Sequence, residues 1–227
     1  MKTIIVIGGS KGIGNAIIKK LLKHSKVINI SRTSPEENHA NLTHYNCDVT
    51  KEELPEIDTA DGLIYCPGSI NLKPISRLSI EDFKDDFEIN VLGAVKAIQK
   101  YLPNLKNTNN PAILLFSTVA AKLGMPFHAS IATSKAGVEG LVKSLGAELA
   151  PTIRINAIAP TVTNTQLASK LLRNDKMVEN ITERHPLKKF LNPEEVADMA
   201  EFLISNKSAS MSGQIFEMDC GIVSFKI

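Results

Sequence analysis

This sequence predicts a three-layer αβα fold, with helices on both faces of a doubly wound parallel sheet. Three observations predict it. Short, unbroken, β-branched apolar runs recur along the chain, as strands buried on both faces require. Stretches with helical spacing separate them, and this alternation implies right-handed βαβ units. The chain has 227 residues, which fits a single domain at about 100–200 residues per domain.

The first strand is read at residues 4–7, where Ile4, Ile5, Val6 and Ile7 run up to Gly8. Residues 15–24 follow as a helix, with Ala16, Ile17, Leu21 and Leu22 on one face. Further strands are read at 27–30, 62–65, 112–116 and 154–158. Ser79 followed by Asp82 resembles a capping box, so a helix is predicted from there to about residue 101. Another covers roughly 132–149. A third takes Asn192 as N-cap and Pro193 as its first residue, running to about 204. The polar stretches 33–41 and 161–185 are read as irregular. The second follows a late strand, a position from which a long segment covers the ligand crevice as a lid.

Composition excludes several function classes. Lys plus Arg is 26 and Asp plus Glu is 24, a net charge of +2, so no field favours nucleic acid or a membrane surface. Hydrophobic residues are 43% and charged residues 22%, as in ordinary globular proteins. Cys47, Cys66 and Cys220 lack CxxC spacing. Neither a disulfide framework nor a metal site is expected, and the thiols suit a reducing compartment. The apolar start ends at Gly8 and no window gives about 18 uninterrupted apolar residues, so a cytoplasmic protein is expected.

Ile7-Gly8-Gly9-Ser10-Lys11-Gly12-Ile13-Gly14 lies between the first strand and the first helix. Glycines there permit a tight turn and let backbone N–H groups approach a phosphate at the helix N-terminus. The second strand ends in Ser31-Arg32, without the acid that accepts from a ribose 2′-hydroxyl in NAD sites. Arg32, Lys11 and the Ser31 hydroxyl would instead receive a 2′-phosphate, so NADP(H) is the expected cofactor. The alternative is that both cations are solvated surface charges.

The spacing GxxxGIG resembles that of the short-chain dehydrogenase/reductase family, a Rossmann-type fold. The likeness continues through Cys47-Asp48-Val49-Thr50, Tyr65-Cys66-Pro67-Gly68, Asn90-Val91-Leu92-Gly93 and Arg154-Ile155-Asn156-Ala157-Ile158-Ala159-Pro160 to Asp219-Cys220-Gly221. The resemblance implies a cofactor groove built from Gly8, Ser10, Lys11, Gly12, Ile13, Gly14, Asp48, Val49, Gly68, Pro160, Thr163 and Thr165. It also implies hydride transfer between nicotinamide and a small-molecule carbonyl or alcohol. Its reacting groups would be Asn90, Thr118 and Lys135, with Asn90 and Lys135 also facing the cofactor. A homodimer or homotetramer is implied too, joined through the long helices near Asn90 and Lys135 and the C-terminal strand; Ala136, Gly137, Gly140 and Gly146 would permit close approach.

One family residue is missing. Four positions before Lys135, where the resemblance places a tyrosine one helical turn away, this chain has Ile131. Three arrangements are compatible with that. Another group supplies the proton: His128, whose ordinary pKa near 6.5 suits the task, or Tyr65. Alternatively the reaction needs no strong acid there, or the chain binds cofactor without turnover. For His128 and Tyr65 the competing reading is a hydrogen-bonded or packed side chain with no chemical part.

Overall fold

The computed structural model describes residues 1–225. Seven parallel strands form one sheet: β1 (Thr3–Ile7), β2 (Lys26–Ser31), β3 (Leu42–Asn46), β4 (Gly62–Tyr65), β5 (Ala112–Phe116), β6 (Arg154–Pro160) and β7 (Ile215–Met218). Their order is β3-β2-β1-β4-β5-β6-β7. Register pairs Ile7 with Ile30 and with Tyr65, and Phe116 with Ile158. Strand order reverses between β1 and β4, so the crevice beyond their C-terminal ends is where such a sheet binds ligand.

Side chains alternate along these strands, and each face has its own core. Ile5, Ile7, Leu63, Ile113, Leu115 and Ile155 pack with α3 (Gly93–Lys106) and α4 (Ala129–Leu149). Ile4, Val6, Ile64, Leu114 and Ile158 pack with α1 (Gly12–Leu21) and α6 (Pro193–Ile204). The helix α2 (Ile80–Phe87) precedes α3, and α5 (Asp175–Arg184) lies between β6 and α6. No helix among the described residues is long and apolar enough to cross a membrane.

Several elements depart from expectation. The first helix begins at Gly12, because the glycine turn itself supplies its first turn. The helix expected over 79–101 is interrupted: α2 has the Ser79–Asp82 capping box, then residues Glu88–Leu92 form a π-turn before α3. The stretch 161–185 is not wholly irregular, since Asn174 caps α5 by accepting from the Met177 amide. Strand β3 is not among those read from the sequence, and β7 is the C-terminal strand that only the resemblance implied. Leu42-Thr43-His44-Tyr45-Asn46 is too polar to read as buried, and it is a largely exposed edge strand.

Candidate active site

Two connected depressions lie over the ends of β1, β4, β5 and β6. A groove of about 650 Å³ crosses the glycine loop, and a cavity of about 200 Å³ opens beside Lys135. Ile13, Cys66, Gly68, Thr165 and Leu167 line both.

The glycine loop builds the groove. Gly8 and Gly12 have φ of +76° and +53°, a left-handed backbone that glycine adopts without penalty. Lys11 is the N-cap of α1 and offers no side-chain cap, and no acid lies in the first turn. The leading N–H groups of α1 therefore face the groove with the positive end of the helix dipole, an arrangement suited to a phosphate. Gly14 belongs to packing rather than to the groove, since a Cβ there would lie 2.3 Å from the Gly8 carbonyl oxygen.

Ser10, Lys11, Ser31, Arg32, Asp48 and Val49 all line the groove, as the sequence suggested. Lys11 and Arg32 form no ion pair among the described residues. The Ser31 hydroxyl is engaged: it donates to the Thr33 carbonyl at 2.9 Å and accepts from Asn29 Nδ2 at 2.9 Å. Thr33 also lines the groove, its hydroxyl donating to Ser10 Oγ at 3.0 Å, and Lys51 adds a third cation. Neither was visible in the sequence, because no spacing rule ties residues 33 and 51 to the loop. Asp48 accepts from the hydroxyl and amide of Thr50 at 2.7 and 3.1 Å. Those bonds, with Arg32 nearby, hold its carboxyl below the usual range.

In the cavity, Lys135 is buried, and its Nζ donates to the Phe116 carbonyl at 2.9 Å. Burial pushes its pKa down to about 8, against smaller opposing attraction from Cys66 and Asp86. Asn90 sits in the π-turn and donates through Nδ2 to the Asp86 carbonyl at 2.7 Å and to Ser69 Oγ at 3.1 Å. Its Oδ1 is buried without a partner. Gly68 lies between the two groups: a Cβ built on it would be 3.2 Å from Asn90 Oδ1 and 3.5 Å from Lys135 Nζ. A polar atom at that point bonds both, and a side chain there would fill it. An orphaned acceptor, a buried ammonium and a space kept open by glycine together fit a polar ligand such as a nucleotide ribose or a water.

Thr118 lines the cavity and its Oγ1 accepts from the Ala120 amide at 3.3 Å, leaving the hydroxyl proton free of that bond. Ser117 donates instead to Glu139 at 2.7 Å. Pro160, Thr163 and Thr165 border the cavity, with Thr163 donating to the Thr161 carbonyl and Thr165 capping the turn Gln166–Ala168. Ile131 and His128 line the same wall. His128 Nδ1 is 2.7 Å from the Pro126 carbonyl. A carbonyl only accepts, so Nδ1 carries hydrogen and Nε2 is the nitrogen free to exchange a proton.

Tyrosine has no place in this cavity among the described residues. The chain has three. Tyr45 is on the β3 edge, Tyr101 donates to the Pro55 carbonyl, and Tyr65 donates to the Ile89 carbonyl at 2.7 Å. Burial pushes the Tyr65 hydroxyl pKa up, and Tyr65 lines neither depression, its proton being given to the Ile89 carbonyl.

Comparison with known proteins agrees with this geometry. A family model described as enoyl-(acyl carrier protein) reductase matches residues 8–223. A 3-oxoacyl-[acyl-carrier-protein] reductase of Thermotoga maritima is 32% identical over 78% of this chain and 71% of its own length. An uncharacterized oxidoreductase of Schizosaccharomyces pombe is 30% identical, covering 95% of this chain and 96% of its own. The ligand-free aldohexose dehydrogenase of Thermoplasma acidophilum superposes with a TM-score of 0.91 at 28% identity, covering 99% of this chain and 95% of its own. The open crevice at the β1/β4 reversal, the glycine loop beneath it and these matches along nearly the whole chain have one common explanation: the protein belongs to the short-chain dehydrogenase/reductase family and is an oxidoreductase of that kind.

Proposed function

We propose that this protein transfers a hydride between NADP(H) and a small or medium carbonyl or alcohol substrate, using a proton donor other than tyrosine. The observation that carries this reading is the continuity of the two depressions at Gly68, where the groove meets Lys135 and Asn90. The bound nicotinamide would supply or accept the hydride. Arg32 and Lys11 would hold the 2′-phosphate, a dianion that two unpaired cations favour. Gly8, Gly12, Ile13 and the N-terminus of α1 would hold the pyrophosphate, Asp48 and Val49 the adenine, and Thr163, Thr165 and Pro160 the nicotinamide end.

At the reaction centre Thr118 would donate a hydrogen bond to the substrate oxygen. His128 Nε2 would exchange the proton of that oxygen, its ring held by the Pro126 carbonyl. Lys135 would orient the ribose and, with Asn90, bind a bridging water. Ile70, Leu72, Val119, Met125, Ile131 and Leu171 give the cavity apolar walls, which favours a substrate with a hydrocarbon body. Residues 161–185 would cover it as a lid. The protein would act as a homodimer or homotetramer; Gly140 faces open space, whereas Gly146 packs on Gly213 within the chain.

Ile131 favours one competing reading, cofactor binding without turnover. Titration with NADPH and NADH, then a carbonyl screen with wild type and His128→Ala, separates the two. Tight NADPH binding with turnover lost in His128→Ala supports the proposal. NADPH binding with no turnover on any carbonyl supports the competitor, and turnover unchanged in His128→Ala removes His128 as donor.

A further inference from the structure

Behind Asn90 lies a buried carboxylate that the reaction described above does not use. Asp86 is 2% exposed, and no ion pair involves it among the described residues. Ser69 Oγ donates to its Oδ1 at 2.5 Å and Ser130 Oγ to its Oδ2 at 2.6 Å. Ser69 in turn accepts from Asn90 Nδ2 at 3.1 Å, and the Asp86 backbone carbonyl accepts from the same nitrogen at 2.7 Å. Burying a carboxylate without a directly bonded cation is costly, so two serines gathered on it, with Asn90 linked to one of them, call for an account.

The direction of every bond in this chain is fixed. A carboxylate only accepts, and Ser69 has one proton, which points at Asp86. Toward Asn90, Ser69 is therefore an acceptor only. Both protons of Asn90 Nδ2 are taken on the side facing Asp86, and Oδ1 is left facing Gly68 and Lys135. Bonds in series polarise one another, most strongly when the chain ends on a charge. Electron density is pushed toward Asn90 Oδ1, opposite the Lys135 ammonium. On the other wall Ile131 offers the ammonium nothing polar.

We propose that Asp86 and Ser69 are positioning residues that orient and polarise the Asn90 carboxamide toward Lys135. This rests on the reading of Asn90 and Lys135 as reaction-centre groups. The Ser130 bond to the other carboxylate oxygen supports Asp86 and lies outside the line to Asn90.

The test begins with the full chain free of cofactor. Side-chain amide exchange of Asn90 is read by 15N NMR in wild type, Asp86→Asn, Ser69→Ala and Ser130→Ala. Two protected protons are expected in wild type. Protection of one is expected to fall roughly tenfold or more in both Asp86→Asn and Ser69→Ala, and to persist in Ser130→Ala. Ser69→Ala removes only a hydroxyl, so it decides the matter should Asp86→Asn fail to fold. In turnover, each of these two variants is expected to lower kcat about tenfold with the KM for NADPH unchanged, and the double variant to be no worse than either.

Unchanged exchange in Ser69→Ala overturns the proposal, as does loosened exchange with kcat intact. Additive losses of kcat also count against a single chain. If wild type shows no turnover at all, the functional reading fails while amide exchange still decides the orientation.

Discussion

Lys135 carries a cost that pH should reveal. Its pKa lies near 8 in the folded protein against an ordinary 10.5, so below pH 8 the fold must hold a buried ammonium. Between about pH 8 and 10.5 the unfolded chain binds the proton and the folded chain does not, so this group's contribution to stability rises with pH there. At about 1.4 kcal/mol per unit, the burial costs on the order of 3 kcal/mol at pH 7. Lys135→Met should therefore raise the melting temperature at pH 7, less whatever the orphaned Phe116 carbonyl costs. The gain should shrink as pH approaches 10. Thermal melts of both proteins from pH 6 to 10 check this, and a difference that does not vary with pH would contradict it. Ile131→Tyr makes a second residue-scale prediction. Ile131 is buried, so the larger ring should cost about 1–3 kcal/mol of stability. If the proton donor limits the reaction, the same change should raise carbonyl kcat/KM by about a hundredfold.

At the scale of elements, the π-turn is what presents Asn90. The Gly93 amide donates to the Glu88 carbonyl, five residues back, and the Ile89 carbonyl accepts from Tyr65 instead. Gly93 is needed for this contact, because a Cβ there would lie 2.1 Å from Tyr65 Oη. Gly93→Ala should destabilise the protein by about 2 kcal/mol, and adding Tyr65→Phe should recover part of that loss, since the clashing oxygen is gone. Urea denaturation of the two singles and the double checks the coupling; additive losses would mean that the hydroxyl does not support the turn. This interruption was illegible in the sequence, where the Ser79 cap and the apolar residues after it read as one helix to about residue 101, and no local residue signal marks a π-turn. Local chemistry read well: the Ser79 cap, the glycine loop and the buried strands β1, β4 and β5 each carry their signal within a few residues. Asn90 and Lys135 were found only through resemblance. Asp86, Ser69 and Thr33 were not found, because their meaning comes from partners up to 44 residues away, as Ser130 is from Asp86, and no periodicity records such pairs.

The whole molecule is divided by its ligand crevice. The strands β1 and β2 with α1 form the groove's cationic side, and β5, β6 and α4 carry the cavity, while the two meet through β4 and Gly68. A cofactor lying along the groove and into the cavity would bridge both sides in the folded state only, so it should stabilise the chain as a unit. At a concentration about 100 times its Kd, binding adds about 2.7 kcal/mol. For a chain of this size that raises the melting temperature by roughly 5–10 °C. NADPH should give this shift, and NADH at the same concentration a much smaller one, because Lys11 and Arg32, which form no ion pair among the described residues, gain a partner in the 2′-phosphate. Arg32→Ala combined with Lys11→Ala should bring the two shifts together by lowering the NADPH response and leaving the NADH response in place. Added salt should narrow the gap in wild type in the same direction, since exposed charges are screened. A larger shift with NADH would mean that these two cations serve the solvated surface and that the groove takes the unphosphorylated ribose.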